Sequence, residues 1–311
     1  MSELLYQRDI YGKTLVELGK INKDIIVLDA DLSSSTRTSL FAKAYPERFF
    51  NLGVAEQNMM ATAARFASCG KTVFASTFAI FATGRAWDQV RNSVSYSNFN
   101  IKIVATHAGI TVGPDGATHQ ALEDIALMRV IPNMKIIVPC DGPQTGEAII
   151  AALNNKGPFY VRLGRCKVPT LENKGEFKLG KAQVLTEGND VAVLACGIMV
   201  AQALEAVKSL KEKGISARLI NMHTIRPLDS EAILKAAKET RGIVVCEEHS
   251  VIGGLASSID EVVAENHPTK VLRVGIKNRF GQSGEPDELL KEYNLTSADI
   301  EKAVLACISS K

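Results

Sequence analysis

Residues 100–124 read NIKIVATHAGITVGPDGATHQALED. The opening NIKIVAT is an apolar, β-branched run with little alternation, the pattern of a strand buried on both faces of a layered α/β sheet. The stretch after it is no simple crossover. Gly109, Gly113, Pro114 and Gly116 shape a tailored loop, and His107, Asp115 and His119 lie along it. Open α/β sheets build their sites at strand carboxyl ends, so the loop is a candidate site as well as a fold marker. His and Asp are also metal ligands, but the twelve-residue separation of the two histidines is not a helical ligand spacing such as HExxH. A helix-capping role for one histidine is the plain structural alternative.

The same grammar repeats on both sides. Strand-like runs occur at 25–30, 72–77, 134–139 and 158–163, with helix-patterned segments at 9–20, 55–68, 79–95 and 143–154. From 167 to 189 the chain turns polar and glycine-bearing, which reads as a linker plus an edge hairpin. Alternation then resumes, with strands at 191–197, 216–222, 242–248 and 270–276 and helices at 199–213, 229–239, 254–265 and 298–308. The expectation is two doubly wound α/β domains, residues 1–170 and a smaller 191–311, joined by a linker at 171–190, with four main strands in the second.

Bulk properties exclude several classes. A net charge of +2 over 311 residues argues against a nucleic-acid or membrane-surface partner. Runs such as Val191 to Gly197 are far shorter than the about 20 residues needed to span a bilayer, and MSELLYQRDIYGK has no signal-peptide pattern. Six scattered cysteines without a CxxC read as thiols in a reducing cytoplasm, with no zinc site.

Three further clusters carry candidate chemistry. GVAEQNMM (53–60) places one acid, Glu56, at the start of an alanine-rich helix, with no basic residue after it until Arg65. A helix-dipole contribution of roughly 0.3–1 kcal/mol is the bland reading. In STFAIF (76–81), Phe78 and Phe81 stand three apart at a strand-to-helix junction, as core packing or as an aromatic wall for a flat heterocycle. Arg162 and Arg165 follow a strand, Arg8 lies near the N-terminus, and the planar fork of arginine suits phosphate. In EEHSVIGGLASSI (247–259), His249 precedes a glycine-rich helix start, read either as a tight turn with close helix packing or as an anion site. No G-x-x-x-x-G-K-[ST], G-x-S-x-G or strand-to-helix G-x-G-x-x-G occurs.

Together GVAEQNM, STFAIF and THAGITVGPDGATHQALED resemble the C-terminal half of transketolase, its pyrimidine-binding and C-terminal domains, and the resemblance covers nearly all of the chain. It implies thiamine diphosphate as cofactor. In that family an acid at the position of Glu56 hydrogen-bonds the aminopyrimidine and favours the imino tautomer that generates the ylide. An apolar surround without a nearby cation is then expected to raise the carboxyl's pKa. The resemblance further assigns Phe81, with Phe78 beside it, to the aminopyrimidine face. His107, Asp115 and His119 go to the sugar's hydroxyls and reacting carbonyl, and Arg8, Arg165 and Ser35 (or its neighbours Ser33 and Ser34) to the terminal phosphate. Asp31 is assigned to the cofactor or the subunit interface.

The family binds the diphosphate and Mg²⁺ through a Gly-Asp-Gly motif, and none occurs here. The resemblance therefore implies one subunit of a split transketolase, inactive alone. Its partner is an N-terminal subunit holding the diphosphate and Mg²⁺ (or Ca²⁺ or Mn²⁺), in an α₂β₂ assembly acting on sugar phosphates. The second domain is given a role in assembly. Within the family, the β-type subunit of a 2-oxo-acid dehydrogenase decarboxylase and a split deoxyxylulose-phosphate synthase-like enzyme are alternatives. A non-catalytic interaction protein is the alternative of another class.

Overall fold

The computed structural model describes residues 3–172 and 175–309. Strands run as β1 (Leu4–Tyr6), β2 (Ile25–Asp29), β3 (Phe49–Asn51), β4 (Thr72–Phe78), β5 (Ile101–Thr106), β6 (Lys135–Ile137), β7 (Phe159–Arg162) and β8 (Lys167–Pro169). They continue as β9 (Gln183–Thr186), β10 (Val191–Ala195), β11 (Ala217–Asn221), β12 (Thr224–Arg226), β13 (Ile243–Ser250) and β14 (Val271–Ile276). A seven-stranded sheet has the order β12-β6-β7-β5-β4-β2-β3, and a five-stranded sheet the order β14-β13-β10-β11-β9. Pairing is parallel in both except for β12 and β9, which join antiparallel at an edge. Every residue of β2, β4, β5, β7, β10 and β11 is buried, which is why their sequences do not alternate.

Apolar helix faces close both sides of the larger sheet. Tyr11, Leu15 and Leu18 of helix Gln7–Ile21 pack with Phe41, Phe74 and Phe159 on one side. On the other, Met59, Met60 and Ala63 of helix Glu56–Ser68 join Val90, Ile103 and Tyr160, and this cluster continues through Leu194, Ile220 and Leu255 of the second domain. One apolar core therefore crosses the domain junction.

Two features differ from the sequence reading. The helix expected over 79–95 is broken into π-helical turns, Phe81–Arg85 and Val90–Ser95, around a short α-helical piece, Trp87–Gln89. Gly84 lies within the first of these wide turns, a rare geometry that is frequent at functional sites. β9, from the 171–190 segment, forms the edge of the second sheet, in keeping with the edge element expected there. The second difference is β12, which comes from the second domain and extends the first sheet.

Lys102 lies in the middle of this packing. It is fully buried in β5, its Nζ donates to the Asn155 and Gly157 carbonyls at 2.7 and 2.9 Å, and it stands 4.3 Å over the Phe159 ring. Burial, with the charge of Lys135, pushes its pKa down to about 6. An unfolded lysine keeps its proton to about pH 10.4. Between these values the unfolded state binds more protons, so stability rises with pH, and below the folded value the penalty is present in full. Lys102→Met should remove up to about 1.4 kcal/mol per pH unit of that slope, whatever constant offset the two carbonyls add. Urea unfolding between about pH 6.5 and 9.5 measures it, and an unaltered slope would mean that Lys102 stays charged in the fold.

Candidate active site

The register of β4 on β5 pairs Phe78 with Thr106, which sets the Phe78 ring beside the next residue, His107. The two rings stack with centroids 3.8 Å apart. His107 has a left-handed backbone, φ 58°, and Gly109 follows at φ 85°, so the chain reverses sharply off the strand into a 3₁₀ turn, Ile110–Asp115. The turn returns His119 to the same place, 5.4 Å from Phe81 and 6.4 Å from Phe78. Phe81 stacks on Phe78 at 6.0 Å. Four of the expected residues thus form one aromatic cluster at the carboxyl ends of β4 and β5. Asp115 lies on the same turn, exposed to solvent.

Glu56 opens helix Glu56–Ser68 and is 1% exposed. The expectation that no cation stands near it is overturned. Arg85 Nη1 donates to both Glu56 carboxylate oxygens at 3.0 Å, and its guanidinium lies 4.4 Å over the Phe81 ring. Arg85 is 29 residues away in the chain, so the sequence around Glu56 gives no sign of it. The Phe81 ring therefore joins the acid at one end to the histidines at the other.

Two arginines act on His107 through their charge. Arg8 Nη1 donates to the Ser35 carbonyl at 3.3 Å, and Arg165 Nη1 to the Val112 carbonyl at 3.1 Å. Burial first, then the charges of Arg8, Arg165 and His119, push the pKa of His107 down to about 3, so at neutral pH it is an uncharged imidazole bonded to the Thr106 hydroxyl at 2.8 Å. The Arg8 guanidinium is itself lowered, by burial and by Arg37. Arg37, absent from the sequence reading, pairs with Asp9 at 2.6 Å. The result is a concentration of positive charge with few carboxylates to answer it.

Other candidates fall elsewhere. Asp31 is exposed at the end of β2, where it exchanges hydrogen bonds with Asn51 at 3.0 and 2.9 Å. Arg162 is no phosphate ligand, because it is buried in an ion pair with Asp124 at 2.7 Å. The glycine-rich helix start at 253–255 is closed to an external anion, since the Glu247 carboxylate accepts from Leu255 N–H and Ala256 N–H at 2.7 and 2.9 Å. His249 is buried beside it, its Nδ1 2.7 Å from the Ser250 carbonyl. Among the described residues no group of three or more His, Cys, Asp or Glu is placed to hold a metal ion.

Residues 5–170 match the family described as transketolase, pyrimidine binding domain, and residues 180–300 the family described as transketolase, C-terminal domain. A transketolase C-terminal section from Methanocaldococcus jannaschii is 51% identical over 299 residues, which span 95% of this chain and 94% of that protein. Human transketolase is 36% identical over 97% of this chain, which matches 49% of the human enzyme. A solved structure described as a split gene transketolase, inactive beta4 tetramer, superposes with a TM-score of 0.91 at 50% identity, covering 98% of this chain and 99% of its own. Both domain families follow in order along a chain whose strand ends gather a buried acid, two stacked phenylalanines and two histidines, and the chain belongs to the transketolase family.

Proposed function

We propose that this chain is the C-terminal subunit of a split, thiamine-diphosphate-dependent transketolase, a transferase that moves a two-carbon ketol group reversibly between a ketose phosphate and an aldose phosphate. The observation that carries the reading is the continuous array of Glu56, Phe81, Phe78, His119 and His107 backed by Arg8 and Arg165. The residues fit the aminopyrimidine half of the cofactor. A nearly fully buried carboxyl sits beside an aromatic face, and the Arg85 side chain that covers it is 47% exposed, with room to swing into water. Phe81 and Phe78 would flank the ring, and Glu56 would hold its nitrogen. Thiamine diphosphate, when bound, supplies the carbanion chemistry that carries the ketol group.

The chain's own residues supply orientation and charge. His107, uncharged at neutral pH, offers a hydrogen bond to a sugar oxygen without competing for the phosphate. His119 approaches the same space across Phe81. Asp115, on the turn between them, would reach a hydroxyl. Arg8 and Arg165, with Ser35 beside Arg8, would hold the terminal phosphate, and their own repulsion is relieved by a dianion. A decarboxylase β-type subunit, whose substrates lack a sugar phosphate, has no use for that pair. The diphosphate and its Mg²⁺ belong to an N-terminal partner in this reading, and two copies of each chain form an α₂β₂ assembly. The name of the split-gene relative, an inactive β4 tetramer, supports self-association and inactivity of the chain alone. Six scattered cysteines without a CxxC support a reducing compartment such as the cytoplasm. The pentose phosphate pathway is the metabolic setting this activity implies.

Three outcomes test the reading. Glu56→Gln should keep the fold but slow exchange of the cofactor's C2 proton in the assembled complex by about 10²–10⁴-fold, followed by NMR; an unchanged rate removes Glu56 from catalysis. Arg165→Ala and Arg8→Ala should raise KM for phosphorylated sugars with kcat little altered; a loss confined to kcat, or equal effects on phosphorylated and free sugars, would refute the clamp. Calorimetry of thiamine diphosphate and Mg²⁺ against the chain alone should register weak binding. Tight, metal-dependent binding at one site per chain, or ketol transfer without a second protein, would overturn the split-subunit reading.

A further inference from the structure

The loop that carries both histidines has a single 3₁₀ turn, Ile110–Asp115, as its regular structure, and residues of the second domain press on it along its length. Glu248, at the end of β13, reaches across the junction. Its Oε1 accepts from both the N–H and the hydroxyl of Thr111 at 2.7 Å. Arg162 donates from Nη2 to the Glu248 carbonyl at 2.9 Å, and its Nη1 lies 3.9 Å from Oε2. The carboxylate is 3% exposed. A buried charge of this kind is costly unless it is paired and bonded, and ordinary domain packing would use an apolar side chain. Glycines of the loop record the same pressure. A Cβ on Gly109 would fall 2.2 Å from the Glu248 carboxyl carbon, one on Gly116 2.6 Å from Ser283 Oγ, and one on Gly113 3.3 Å from the Gly284 carbonyl. Gln120, next to His119, donates to the Gln282 carbonyl at 2.9 Å. The residue after Thr111 is Val112, whose carbonyl receives Arg165.

We propose that Glu248 is a positioning residue through which the second domain sets the active-site loop: its hold on Thr111 fixes the backbone that aims His107 and orients Arg165 through Val112. Glu248 is buried beneath the loop and acts through Thr111. This rests on the transketolase reading for its kinetic consequence, but the loop geometry can be followed without turnover.

Glu248→Ala, in the complex with the partner chain, should raise amide hydrogen exchange across residues 109–116 by about tenfold or more, while helix Glu56–Ser68 keeps its protection. It should raise KM for the phosphorylated donor severalfold, and far less when Arg165→Ala is already present, because the two act through one contact. Thr111→Val, which keeps the backbone N–H and loses the hydroxyl, should move both readouts in the same direction by less, and serves if the alanine variant does not fold. Glu248→Gln, which keeps an acceptor oxygen, should restore most of the loop protection. Unchanged exchange in the loop, or additive effects of Glu248→Ala and Arg165→Ala on KM, would overturn the proposal. If Arg165→Ala alone has no effect on KM, the phosphate-clamp reading fails, and the exchange measurement still decides the role of Glu248.

Discussion

A guanidinium removed from water has to be answered on every side, and Arg162 is the group around which the two domains close. It bonds the Asp124 carboxylate, the Ala121 and Glu248 carbonyls, and faces the Glu248 carboxylate. Burial alone would push Asp124 up, yet Arg162, with His249 and the Tyr160 hydroxyl, holds it below the usual carboxylate range. Arg162 stands on β7, and its partners come from three other elements: the end of the histidine loop, the short helix Asp124–Arg129 and β13. Removing one member would strand the others as unpaired buried charges, so these elements are committed to a single relative arrangement. The site inherits that commitment, because the loop carrying His107 and His119 ends at the same ion pair.

The aromatic cluster depends on a second constraint, the parallel register of β4 and β5. Side chains at neighbouring strand ends meet only if the strands are level, and the Phe78–Thr106 pairing makes them so. A slip by one residue would swap side chains between the two faces of the sheet, which pack into different clusters, so the register is held by packing on both sides.

Much of this was legible because it is local. Buried parallel strands advertise themselves as unbroken apolar runs, and the predicted runs match β2, β4, β5, β7, β10, β11, β13 and β14 within a few residues. Glu56, Phe78, Phe81, His107 and His119 stood in compact motifs that the chain brings together. What escaped was long-range or geometrically irregular. Arg85 was hidden because its bond to Glu56 is long-range, from the turn after β4 to a helix start 29 residues earlier. β12 is three residues long and has no pattern of its own. Glu248 looked like one of the two acids in EEH, since nothing nearby in the chain says that its partner is Thr111.

The placement of β12 bears on how such a chain is made. β6 is the outer strand of the first sheet until β12 pairs with it antiparallel, and β12 lies beyond the first two strands of the second domain. During synthesis the pyrimidine-binding portion therefore emerges with β6 bare along one side, a row of open backbone groups of the kind that templates pairing with other chains. The second domain shields it. A fragment cut at the apparent domain boundary would be an incomplete sheet in search of a strand, and the two domains, separable by sequence, share one sheet.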